Sequence, residues 1–121
     1  MASLLVVDDD PDVLDALCAM LAGMGHTVER ATGGLPALEI IEGKPVDLLM
    51  TDVVMPGLHG FNLARMAVLR CPTLKVLYFT GYTDVTISQD EGQKFGKLLN
   101  KPLRHDDVRR EVAEALAGDG S

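Results

Sequence analysis

Val46-Asp47-Leu48-Leu49-Met50-Thr51-Asp52-Val53-Val54-Met55-Pro56-Gly57 is the stretch on which the fold turns. The apolar run Leu48 to Met50 reads as a buried strand, and Met-Pro-Gly just beyond Asp52 reads as a turn. A strand that ends on one carboxylate and delivers it to a loop presents a nucleophile or a metal ligand. Outward from this stretch the pattern repeats. Leu4-Leu5-Val6-Val7 closes on Asp8-Asp9, Val76-Leu77-Tyr78-Phe79 on Thr80, and Leu98-Leu99 on Asn100-Lys101-Pro102. Short strands ending on Asp-Asp, Asp, Thr and Lys together predict a site.

The 121 residues are enough for one domain with a real core, with residues 1–118 expected to form it and 119–121 a flexible tail. A hydrophobic fraction of 47% with 24% charged residues is that of an ordinary globular protein. No apolar run approaches the ~20 residues of a membrane span, and no signal-peptide pattern precedes the first strand, so a cytoplasmic protein is expected. A net charge of −7 argues against nucleic-acid binding, which needs a basic stripe. Much of the acidity sits at Asp8, Asp9, Asp10, Asp12 and Asp52, a clustering that suits a divalent cation. Cys18 and Cys71 fall in apolar helical patterns and read as reduced, buried thiols.

Asp10-Pro11-Asp12 has the form of a helix start, with Asp10 as cap, Pro11 at the first position and Asp12 at the positive end of the dipole. Asp8 and Asp9 are left for the site. The helix carries Val13, Leu14, Leu17, Cys18, Leu21 and Met24 at 3–4 spacing, and Gly25 can end it. His26 to Ala31 reads as a short second strand, and Leu35 to Glu42 as a helix stopped by Gly43-Lys44-Pro45. Gly60 to Arg70 follows the Asp52 strand as a third helix with Phe61, Ala64 and Val68 on one face; Leu74 to Phe79 is the fourth strand. Between Gly81 and Gly96 the helix pattern is weakest, and a short or irregular fourth helix is expected there. A last helix, Asp106 to Ala117, packs through Val108, Val112, Ala115 and Leu116. Five strands alternating with helices imply an α/β domain, a five-stranded parallel sheet covered on both faces, with ligands at the carboxyl ends of the strands. His26, His59 and His105 are scattered, and each reads as structural or surface.

Leu4-Leu5-Val6-Val7-Asp8-Asp9-Asp10-Pro11, Asp52 with Met55-Pro56-Gly57 and Gly60, Thr80-Gly81, and Lys101-Pro102 resemble, in order and end to end, the receiver domain of two-component response regulators. Each piece alone is weak; all of them at strand ends with compatible spacing are specific. Phe79-Thr80-Gly81-Tyr82-Thr83 also resembles the receivers of hybrid histidine kinases. The resemblance implies the flavodoxin-like receiver fold with strand order 2-1-3-4-5. It implies that Asp52 accepts a phosphoryl group from a phosphohistidine on a histidine kinase or histidine phosphotransfer protein, with Mg2+ as cofactor. By the family pattern Asp9, Asp52 and the Val54 backbone carbonyl would hold the metal, and Asp8 would hold it through a water. Lys101 and the Thr80 hydroxyl would contact phosphoryl oxygens. Such a domain is not an enzyme with a separate substrate; it catalyses its own phosphotransfer and autodephosphorylation. Its output is contact with a downstream protein that the sequence does not name, without nucleic acid or membrane. A stand-alone regulator and a piece of a larger protein such as a hybrid kinase both stay open.

The chain departs from the family at Leu98, where receivers usually carry Tyr or Phe three residues before the lysine. If Thr80 moves on phosphorylation, another residue must report it; Phe95 is a candidate, with core packing its plainer role. Tyr82, two residues past Thr80, can hinder water at the phosphoryl group, and Val54, two residues past Asp52, is apolar, so a long-lived phosphoryl state is expected. Three rivals compete. A haloacid-dehalogenase-type phosphatase could use Asp8-Asp9-Asp10 but leaves Asp52, Thr80 and Lys101 without a role. A flavodoxin-like cofactor binder lacks a Ser/Thr-Gly-rich loop after the first strand. A pseudo-receiver that binds its partner without phosphorylation is the main alternative, opposed by the complete set of site residues.

Overall fold

Apolar runs become strands and 3–4 patterns become helices. The computed structural model describes residues 2–53, 57–80, 96–100 and 103–117. Its elements are β1 (Ser3–Val7), α1 (Pro11–Gly23), β2 (Thr27–Ala31), α2 (Gly34–Gly43), β3 (Leu48–Asp52), α3 (Gly60–Arg70), β4 (Lys75–Thr80), β5 (Gly96–Asn100) and α4 (His105–Ala117). Every pairing is parallel and the sheet order is β2-β1-β3-β4-β5, as the resemblance implies. The helix expected between Gly81 and Gly96 lies outside the described residues, with Tyr82 and Phe95. So do Val54, Lys101, Pro102 and the tail.

Side-chain alternation in the strands divides the core into two layers. Leu4, Val6, Leu48, Met50, Leu77 and Phe79 pack against Leu14, Leu17, Cys18 and Leu21 of α1 and Val108 and Val112 of α4. Leu5, Val7 and Leu49 meet α2 and α3 on the opposite face, where Val53, Val76 and Tyr78 surround Phe61 and Ala64. β3 is buried along its whole length, which is why it reads as a continuous apolar run.

The ends of the helices follow from their capping residues. Asp10 Oδ1 accepts the Asp12 N–H at 2.9 Å and Pro11 takes the first position of α1. Gly25, just past that helix, has φ +94°, a left-handed turn that glycine adopts without strain. His26 precedes β2 rather than opening it; its Nδ1 accepts the Ala2 N–H at 3.2 Å and ties down the start of the chain. Both cysteines are free thiols. Cys18 is buried as expected, whereas Cys71 is only half-buried because it caps the exposed end of α3. One buried charge escapes the apolar pattern. Glu111 of α4 is 5% exposed and accepts from Lys97 Nζ of β5 at 2.9 Å, so an ion pair with one exposed partner pins the edge strand to the last helix.

Candidate functional site

β1, β3 and β4 end along one edge of the sheet, and parallel register brings their last residues together. Val7 lies beside Thr51 and Asp52 beside Phe79, so Asp8, Asp52 and Thr80 fall in neighbouring positions where the strands run out. Carboxylate oxygens of Asp8, Asp9 and Asp52 all lie within 4.8 Å of one another. Asp8 is fully buried, Asp52 is 5% exposed and Asp9 faces solvent. The Asp10 N–H donates to Asp8 Oδ1 at 2.9 Å, so the turn that starts α1 also fixes the first carboxylate. Thr80 is buried beside the cluster at the end of β4. Its register partner is Asn100, from which the chain leads directly to Lys101.

This donor set suits a hard divalent cation. Three carboxylates so close repel one another, and a cation among their oxygens would relieve that repulsion. Asp8, Asp9, Asp52 and Thr80 are therefore brought together where the sequence placed them. Val54 and Lys101 lie outside the described residues.

The backbone behind Asp52 is held tightly. The Val53 N–H donates to the Phe79 carbonyl at 3.0 Å, and the Gly60 N–H donates to the Val53 carbonyl at 2.8 Å. A Cβ on Gly60 would sit 2.2 Å from the Asp52 carbonyl oxygen, so α3 can begin this close to β3 only with glycine there. Leu58 packs onto Gly34 at the start of α2, where a Cβ would come within 2.5 Å of its Cδ2.

Sequence reading missed the aromatic arrangement beneath this site. His59 caps α3, its Nδ1 accepting the Phe61 N–H at 3.2 Å. Its ring meets Phe61 edge-on at 5.2 Å, and Phe61 meets Tyr78 edge-on at 4.7 Å and 77°. The signal was faint, because histidine is not among the preferred caps and Tyr78 reads as one more member of an apolar strand.

Tyr78 is fully buried and its hydroxyl has no hydrogen-bond partner among the described residues. A buried unsatisfied hydroxyl costs about 1–3 kcal/mol, so Tyr78→Phe is expected to raise stability by about 1 kcal/mol at neutral pH. Burial also raises the phenol's pKa above its ordinary value of 10.0. In the unfolded chain the group ionises first, so the fold loses stability as pH rises above about 10, by up to about 1.4 kcal/mol per pH unit for one proton. Tyr78→Phe removes that share of the loss. Urea midpoints of both proteins at neutral pH and near pH 11 check the two effects.

A receiver fold with an acidic cluster at the carboxyl edge of its sheet defines the class. The sequence matches the response regulator receiver domain family over residues 4–113, and the chain belongs to that family. It is 33% identical over 117 residues to the response regulator receiver protein CpdR of Brucella abortus, covering 96% of this chain and 98% of that one. It is 34% identical to part of the sensor kinase CckA of the same organism, covering 95% of this chain but 12% of the kinase. Among solved structures, a CheY-like response regulator receiver domain protein from Methanospirillum hungatei superposes with a TM-score of 0.88 at 27% identity, over 99% of this chain and 97% of that one.

Proposed function

We infer that this receiver domain of two-component systems accepts a phosphoryl group on Asp52 from a phosphohistidine carried by a histidine kinase or histidine phosphotransfer protein. An Asp52 carboxylate oxygen forms the new bond to phosphorus while the phosphorus–nitrogen bond breaks, and its electron pair leaves with the imidazole. The observation that carries this reading is the meeting of Asp8, Asp9 and Asp52 within 4.8 Å at the strand ends. Asp9, Asp52 and the Val54 carbonyl would hold Mg2+, with Asp8 acting through a water. Bound there, the ion offsets the negative charge that otherwise opposes attack by an anion on a phosphoryl group. Thr80 donates its hydroxyl to one phosphoryl oxygen and Lys101 its ammonium to another. No separate substrate is turned over: the domain catalyses its own modification and, more slowly, its own dephosphorylation. A cytoplasmic location fits such donors, and the output is contact with a downstream protein.

Borohydride reduction tests the assignment directly, since an aspartyl phosphate is reduced to homoserine. Homoserine at position 52 after phosphorylation is the expected result; its appearance at another aspartate, or nowhere, contradicts the reading. Tyr82→Ala is expected to shorten the phosphoryl lifetime by opening the group to water, which the decay of the phosphorylated mass measures.

Leu98 favours one second reading. It is 37% exposed where the family usually places an aromatic ring, a departure that suits a pseudo-receiver working without phosphorylation. A downstream partner that binds equally to wild type and Asp52→Asn would support it.

A further inference from the structure

Leu98 and Tyr78 are register partners on β5 and β4, so their side chains share one face of the sheet. The aromatic ring absent from β5 is therefore present in the same row, one strand further in. Tyr78 stands two residues before Thr80 on the same strand and points to the same side. Its ring meets Phe61, the second residue of α3, edge-on. One residue earlier, Gly60 abuts the Asp52 carbonyl and donates to Val53. Val53, Gly60, Phe61, Tyr78 and Phe79 thus form a closed loop of chain bonds, two backbone hydrogen bonds (Gly60 to Val53, Val53 to Phe79) and the Phe61–Tyr78 ring contact, with Asp52 and Thr80 each one residue outside it. A pull on Thr80 toward a group on Asp52 must be taken up somewhere in that loop. The ring contact is its one non-covalent, non-hydrogen-bonded joint, and close-packed interiors switch between discrete arrangements rather than stretch. The Tyr78 hydroxyl, buried without a partner among the described residues, gives the joint a second arrangement to gain from.

We propose that the Tyr78–Phe61 stack couples the chemical state of Asp52 to α3: as Thr80 moves toward the modified Asp52, Tyr78 shifts against Phe61, its hydroxyl gains a hydrogen-bond partner, and the His59-capped start of the helix moves. Tyr78 and Phe61 are positioning residues on this account, and the signal leaves through the beginning of α3. The proposal rests on Asp52 being the phosphoacceptor.

The chain has two tyrosines and no tryptophan, so a Tyr82→Phe protein carries Tyr78 as its one tyrosine fluorophore. Beryllofluoride, an acyl-phosphate mimic, is titrated with Mg2+ while 19F NMR reports its occupancy on the protein. Tyr78 emission is expected to change in proportion to occupancy and to stay constant in the Asp52→Asn, Tyr82→Phe protein. Phe61→Leu in the Tyr82→Phe background should lose most of the emission change at equal occupancy. In wild type, the Phe61 amide and the His59 ring should shift in NMR spectra as beryllofluoride binds. Full occupancy with unchanged Tyr78 emission and unmoved Phe61 and His59 signals overturns the coupling and leaves the phosphoacceptor reading standing. An undiminished emission change in Phe61→Leu overturns the part given to the stack. Absence of a Mg2+-dependent bound 19F signal overturns the phosphoacceptor reading, and the coupling with it.

Discussion

Asp52→Asn is expected to end phosphoryl uptake and, at the same time, to stabilise the metal-free fold. The uptake is lost because an amide oxygen is not a competent nucleophile toward phosphorus. The stability is gained because Asp8, Asp9 and Asp52 present oxygens within 4.8 Å of one another. Two unit charges at that separation repel by about 1–3 kcal/mol at the effective dielectric of a partly solvated site. Neutralising Asp52 removes two such repulsions, those with Asp8 and with Asp9. Added Mg2+ should reverse the ranking: binding to the folded wild type stabilises it by about 2–3 kcal/mol at roughly a hundredfold excess over its dissociation constant, whereas the weakened site of Asp52→Asn gains less. Thermal melts of both proteins, with and without Mg2+, check the crossing. Equal melting temperatures without metal, or equal gains with it, contradict the cation site.

Gly60→Ala should be the most damaging single methyl group near the site. Its Cβ would stand 2.2 Å from the Asp52 carbonyl oxygen and 2.9 Å from the Val53 Cα, and both neighbours are backbone. No side chain can rotate away, so α3 or the end of β3 has to move by about 1 Å. Forced overpacking of this kind costs about 1–3 kcal/mol, and a displacement of that size at a reacting group costs on the order of a hundredfold in rate. Phosphorylation of Gly60→Ala is therefore expected to slow by about two orders of magnitude, beyond what its lowered urea midpoint explains. Gly23→Ala is the control: nothing lies within 4 Å of the added carbon, and helix propensity favours alanine by about 0.5–1 kcal/mol. A Gly60→Ala protein with near-normal uptake would show that α3 does not position Asp52.

Much of the site was legible because parallel α/β sheets turn sequence order into position. Asp8, Asp9, Asp52 and Thr80 each end an apolar run, and strands of one direction bring such ends to one edge. The division of the acidic segment was legible too: Pro11 fixed where α1 begins, which gave Asp10 to the cap and left Asp8 and Asp9 free of that role. Contacts whose logic is lateral stayed hidden. That Phe61 meets Tyr78 depends on how α3 lies across the sheet, which no local pattern states. Gly60 read as a helix start, but the near-contact with the Asp52 carbonyl that requires glycine appears only in three dimensions. Glu111 interrupts the buried stripe of α4 because Lys97 approaches it from β5, a pairing between residues 14 apart.

Intact mass after incubation with acetyl phosphate, with and without Mg2+, reads out whether Asp52 takes up a phosphoryl group. One added phosphoryl group that requires Mg2+ and is absent from Asp52→Asn is the expected result. An unchanged mass under every condition, with a phosphorylated histidine kinase or phosphotransfer protein as donor also giving no adduct, would contradict it.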